Sequence, residues 1–210
     1  MQKINFNDRY GLTQAVIEGR KTNTRRIEGG TKFEEMARCA DQIFYNEDTG
    51  LIDFMYEGID IFSHEPRYKV GEIVAVAQRY QDIFDYSNCV NPYAWEDDDK
   101  PSGWTNKMFT KAELMPHRIR IIGIKCERLR DISDEDCIKE GIFVNEYVGK
   151  RKKCHHYWFD VVFNEAAGWF ARGWYNTPRE AFAMLIDKVC GRGTWGLNPW
   201  VVVYEFELVK

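Results

Sequence analysis

Apolar residues along the chain fall into two rhythms. Phe182, Leu185, Ile186 and Val189 recur at three- and four-residue steps, the single stripe of an amphipathic helix. Its start is written locally: Thr177 at the cap, Pro178 at the first helical position, Glu180 three residues after the cap. Gly191 is placed to end it. The same period predicts a helix over 10–18, with Leu12, Ala15 and Val16 inward and Gly19 after it. A short third helix starts at Ser133, with Asp136 three residues on and Ile132 and Cys137 bracketing the entry, and stops at Gly141. The second rhythm is the strand period of two. It predicts strands over 73–80, over 118–127, and over 200–208, where Tyr204, Phe206 and Leu208 oppose Glu205 and Glu207. Long strands with few helices between them imply an α+β protein, mainly β, built as a barrel or mixed sheet. The three strands are expected in one sheet.

Three stretches read as insertions into that frame, near 31–65, 82–106 and 142–176. Within the first, positions 41–65 hold seven carboxylates and no Lys or Arg; within the second, 82–99 is again purely acidic. Both are expected as solvated loop faces. The third carries Lys150, Arg151, Lys152 and Lys153, then a run of aromatics from Tyr157 to Tyr175. Packing of those rings is favoured over base stacking, which the same composition would allow.

Composition narrows the class. The chain has 210 residues, is 44% hydrophobic and carries a net charge of −4. It can bury a sizeable core, and it is not a domain that is basic throughout. No apolar run has the length of a membrane span and the N-terminus lacks a signal-peptide core, so a cytoplasmic protein with no membrane role is expected. The six cysteines are widely and irregularly spaced, which predicts reduced, mostly buried thiols. Cys154-His155-His156 has no second ligand pair at zinc spacing, so neither metal nor cofactor is expected.

The segment from Glu18 to Arg26 concentrates candidate chemistry. Arg20, Lys21, Arg25 and Arg26 follow directly on a helix end in an otherwise acidic chain. Lys21 and Thr24 are three apart, so a turn or helix would bring amine and hydroxyl onto one face. A lysine desolvated among cations can take a proton from a hydroxyl, which would make Thr24 a nucleophile. A basic loop that only caps helix carbonyls fits the spacing equally well.

The chain resembles the ASCH family, a branch of the PUA-like β-barrel superfamily. The matching motifs come in order: Gly19-Arg20-Lys21-x-x-Thr24-x-Arg26, Tyr68-Lys69-Val70-Gly71-Glu72, the strand from Arg118, the block from Ile132 to Gly141, and Gly-Thr-Trp-Gly-x-Asn-Pro-Trp before the terminal strand. It is similar in this to ASCH proteins of bacteriophages and gut bacteria, and more distantly to acetylcytidine amidohydrolases. The resemblance implies a single domain over 1–210, a small barrel with helices over its openings, and a charged cleft. It implies first a nucleotide- or RNA-binding role, with Arg20, Arg25, Arg26 and Glu72 as ligand contacts. It implies as an alternative an amidohydrolase acting on an acylated cytidine through Lys21, Thr24 and Glu140. Glu140 ends a helix, where the dipole disfavours a carboxylate and calls for a cationic partner such as Lys21. A third class is a phage accessory protein acting through protein contacts, its acidic loops imitating nucleic-acid charge.

Overall fold

A computed structural model describes residues 1–83, 102–148, 153–159 and 174–209. The protein is α+β, and its main sheet is mixed. That sheet has five strands in the order β1 (Lys3–Ile4), β6 (Ile73–Val76), β7 (Arg118–Arg128), β10 (Trp200–Val209) and β2 (Asn23–Arg26). β1 runs parallel to β6 and every other neighbouring pair is antiparallel. The three expected strands therefore share one sheet.

Their details depart from simple alternation. β6 ends at Val76 rather than Tyr80, because the chain leaves β7 there: the Gln78 N–H meets the Met115 sulfur and the Tyr80 N–H donates to Gly103. Tyr80 instead opens the short helix α3 (Tyr80–Ile83). In β10, Val201, Val202 and Val203 are all buried, so alternation begins only beyond Tyr204. The β10–β7 register shifts between Glu205 and Phe206, which pair with Gly123 and Ile121. Ile122 is left between them, half exposed, and such a bulge coils the sheet.

The acidic stretch at 41–65 is a correction to the expected loop. It forms a second antiparallel sheet of β3 (Gln42–Asn46), β4 (Leu51–Tyr56) and β5 (Ile59–His64). Ile43, Ile52 and Phe54 enter the core, while the acids between them fall in turns or face out. Asp53 is the exception: it is buried and accepts from Asn46 Nδ2 at 2.8 Å and Ser63 Oγ at 2.7 Å. Before it lies α2 (Thr31–Cys39), whose Phe33 meets Phe54 edge to face at 5.0 Å.

The other helices follow their local signals. Gly11, at φ 64°, separates a 3₁₀ turn at Asp8–Tyr10 from α1 (Leu12–Ile17), so the predicted helix over 10–18 is split. The Ser133 hydroxyl accepts from Asp136 N at 3.1 Å and starts α4 (Asp134–Lys139). The Thr177 hydroxyl does the same for Glu180 N and starts α5 (Pro178–Cys190), followed by α6 (Thr194–Leu197). Between α4 and α5 lies a hairpin of β8 (Phe143–Val148) and β9 (Lys153–Trp158). Its described aromatics pack: Phe143 stacks on Trp158 at 5.3 Å, and Phe159 is buried against Tyr10 at 5.9 Å. Lys150, Arg151, Lys152, Trp169, Phe170 and the acids at positions 84–99 lie outside the described residues.

One hydrophobic cluster runs from Ile4 to Phe206 and draws on both larger sheets, α1, α2 and α5. Among the described cysteines, Cys137 is buried and Cys126 half-buried, and burial pushes each thiol up to about 12. Cys39 and Cys190 are exposed, against expectation, because each is the last residue of a helix where the apolar stripe has run out. Among the described residues, no helix is long and apolar enough to cross a membrane.

Candidate functional site: a cavity around Lys21

The chain turns sharply out of α1. Gly19 adopts φ 74°, and the amides of Arg20 and Lys21 both donate to the Ala15 carbonyl at 2.9 Å. Thr22 then docks on two elements: its N–H donates to Lys139 at the end of α4, and its carbonyl accepts from Phe206 on β10. From Asn23 the chain is strand β2, registered against Tyr204 at Thr24 and Val203 at Arg25. Lys21 and Thr24 therefore do not share a helical turn. Pairing with β10 overrides that local spacing, and the two come to one site because a loop residue and a strand residue line the same hollow.

That hollow is a cavity of about 410 Å³ lined by Lys21, Thr24, Arg25, Arg26 and Glu140. Asn5, Phe6 and Asn7 close one side, and α5 supplies Phe182, Leu185, Ile186, Val189 and Cys190 on another. Of the predicted site residues it gathers five. Arg20 does not line it: its guanidinium lies 3.9 Å over the Phe143 ring and pairs with Glu18 at 2.8 Å. Glu72 does not line it either; its carboxylate accepts from Lys69 N at 3.0 Å in the turn before β6.

Lys21 is 2% exposed and Glu140 is 5% exposed, so their pairing occurs out of water. Lys21 Nζ contacts Glu140 Oε2 and also donates to the Glu140 carbonyl at 2.9 Å. The cationic partner called for at that helix end is thus present, and it also satisfies an orphan carbonyl. Burial lowers the Lys21 pKa, and Arg26 and Arg25 push the same way against Glu140. Glu140 Oε1 accepts from the Arg25 amide at 2.8 Å and from Arg25 Nη1 at 3.1 Å. Thr24 is 5% exposed, and no hydrogen bond joins its hydroxyl to Lys21 among the described residues.

Arg26 Nη2 donates to the Asn5 carbonyl at 2.7 Å, its guanidinium lies 5.4 Å from the Phe6 ring, and its Nε has no partner among the described residues. Burial lowers its pKa. Sequence reasoning missed Asn5, Phe6 and Asn7, and it read Val189 only as part of a helix stripe and Cys190 only as a reduced thiol. The sequence shows only that the α5 stripe continues to Val189; that this residue is 37% exposed where it lines the cavity is known from the structure alone.

Among the described residues, no three His, Cys, Asp or Glu side chains are grouped to hold a metal ion. No family model, no curated protein and no solved structure matches this chain.

Proposed function

We propose that the protein is an ASCH-type domain on a PUA-like frame whose cavity takes an acylated cytidine and hydrolyses its amide. One observation carries this reading: Lys21, Thr24 and Glu140, the outer two 119 residues apart in sequence, line one cavity of about 410 Å³. That size suits a small molecule. The barrel-like frame is supported by the approach of the main sheet's two edges, where Arg26 of β2 reaches the Asn5 carbonyl just past β1.

Charge pairing favours a nucleoside over a nucleic-acid strand. An RNA backbone asks for cations with no competing partner along a groove. Here Lys21 is taken by Glu140, Arg25 by three carboxylates and Arg20 by Glu18, which leaves Arg26 as the one cation of that segment with no carboxylate partner among the described residues. The remaining polar groups suit a base edge and an amide.

The chemistry follows from the buried pair. The reaction needs Lys21 as an amine, the form its burial favours, with the pair's proton carried by Glu140 in the reactive state. Thr24 Oγ then bonds to the acyl carbon while Lys21 takes the hydroxyl proton. The carbon–nitrogen bond breaks as Glu140 gives its proton to the departing exocyclic amine, and cytidine leaves. Water then attacks the Thr24 ester, losing one proton to Glu140, while Lys21 returns its proton to Thr24 oxygen. The acid is released and the pair restored.

The test is release of cytidine from N4-acetylcytidine, followed by chromatography. Thr24→Ala and Lys21→Ala should each abolish it, by at least 100-fold on the scale of lost nucleophilic or acid–base catalysis. Thr24→Ser should retain a measurable part; Lys21→Arg should not rescue, because guanidinium stays protonated. Glu140→Gln should lose rate with little change in KM. Turnover that survives Lys21→Ala, or no turnover of any acylated cytidine by the wild type, overturns the reading. Binding of a small nucleotide without turnover is the second reading, favoured by the absence, among the described residues, of a hydrogen bond from the Thr24 hydroxyl to Lys21.

A further inference from the structure

Arg25 has no exposed side-chain surface, and four of its hydrogen bonds run to three carboxylates on two segments, Glu127 of β7 and Asp136 and Glu140 of α4 and its end. Its amide and Nη1 converge on one oxygen of Glu140, at 2.8 and 3.1 Å. On the opposite edge of the fork, Nη2 meets Asp136 Oδ2 at 2.9 Å, and Nε meets Glu127 Oε1 at 2.8 Å. With no side-chain surface in water and carboxylates on both edges, Arg25 is poorly placed to hold a ligand phosphate. What it can do is fix a neighbour.

We propose that Arg25 is a positioning residue: clamped by Glu127 and Asp136, it pins Oε1 of Glu140 so that Oε2 faces Lys21 and the cavity. This rests on the hydrolytic reading. Three features argue for positioning rather than mere cross-linking. The clamp is braced on both sides, because Glu127 and Asp136 are themselves bonded by Lys125 at 3.2 and 3.0 Å, and Asp136 also by Lys139 at 3.3 Å. The sheet register aligns it: Arg25 opposes Val203, Val203 opposes Lys125, and Glu127 opposes the next-but-one residue Val201. The contact is also selective, since both Arg25 donors take Oε1 and leave Oε2 to Lys21 alone. A planar, two-edged guanidinium can make this arrangement and an ammonium cannot.

The groups facing Lys21 are Glu140 from the end of α4, Arg25 and Arg26 from β2, and Cys190 from α5 across the cavity. Arg25 therefore has two separable effects, its fork and its charge. Arg25→Lys keeps the charge and loses the fork; Arg25→Gln loses both. Glu127→Gln loosens the clamp without touching Glu140, and serves if either Arg25 variant fails to fold.

The experiment joins kinetics on N4-acetylcytidine with an NMR titration of the Lys21 side chain in wild type and all three variants. Arg25→Lys should lower kcat about 10- to 100-fold, the range for loss of a supporting contact, with KM within about twofold. Glu127→Gln should lower it less, in the same direction. Arg25→Gln should add an upward shift of the Lys21 titration, since a repelling cation is gone. A rise in KM at unchanged kcat would make Arg25 a ligand contact and overturn the proposal. Loss of stability with unchanged kcat and titration would make it a structural tie and overturn the proposal equally. If the wild type turns over no acylated cytidine, the hydrolytic reading falls by itself. The titration still decides whether Arg25 sets the state of the Lys21–Glu140 pair.

Discussion

Glu140 sits where an isolated helix would least accept a carboxylate, buried and at the C-terminal end of α4. What permits it is the pair of donors that reach it from the far side of the sequence, Lys21 and Arg25. The arrangement is conditional: each charge is tolerable only while the other is present. Lys21→Met should cost about 1–3 kcal/mol, because it leaves one oxygen of a buried carboxylate without its donor while Arg25 still holds the other. Combining Lys21→Met with Glu140→Gln should cost clearly less than the two single changes summed, since neither charge is then left alone. Urea unfolding of the four proteins checks this. Additive losses would mean that the pair contributes nothing as a pair, and the low-dielectric argument for an amine at Lys21 would go with it.

At the scale of elements, the sequence was legible where structure is written locally and opaque where it is written by distant partners. Ser133 and Thr177 announce α4 and α5 because a hydroxyl, its amide and the apolar stripe lie within a few residues. β2 carries no such signal. Asn23-Thr24-Arg25-Arg26 has almost nothing apolar, and it is a strand because β10 lies open beside it. The sheet at 41–65 was hidden by its carboxylates, whose count obscured the apolar residues set between them. The site was half legible for the same reason: Lys21, Thr24 and Glu140 were visible as chemistry, but the shared cavity depends on α5 and on Asn5 to Asn7. One glycine links element to site. Gly141 follows Glu140 at φ 104°, and an added Cβ would meet Ala15 and Leu12 only at ordinary contact, 3.5 Å. Its requirement is therefore backbone freedom rather than space. Gly141→Ala should cost on the order of 1–2 kcal/mol and displace Glu140. Ser133→Ala, at the other end of the same helix, should cost about 1 kcal/mol through the lost cap and leave Glu140 in place. With both variants assayed while fully folded, turnover should fall much further in Gly141→Ala. Equal losses would mean that this glycine serves stability alone.

Across the whole molecule, the cavity is held together by ions where most of the fold is held by apolar packing. Arg25, Lys125 and Lys139 bridge β2, β7 and α4 through Asp136 and Glu127, at the edge of the cluster that begins at Ile4. This mode of closure has a pH signature. Burial alone would raise the Asp136 pKa, but hydrogen bonds from Lys125 and Arg25 overcome it and bring the carboxyl from 3.8 down to about 2. A carboxyl whose folded pKa is depressed contributes stability that is fully present above its unfolded value and is lost as pH falls toward the folded one. The window is therefore about pH 4 down to pH 2. Asp136 itself is buried, yet Lys125 and Lys139 stand half in solvent, so screening reduces the contribution to on the order of 1 kcal/mol. Asp136→Asn should lower the urea midpoint at pH 7, and its deficit against wild type should shrink steadily between pH 4 and pH 2. It should also slow turnover at neutral pH, because Arg25 loses one side of its clamp while Lys21, Thr24 and Glu140 are unchanged. A deficit that stayed constant down to pH 2 would show that the Asp136 carboxylate adds nothing through its charge. The clamp would then rest on Glu127 alone.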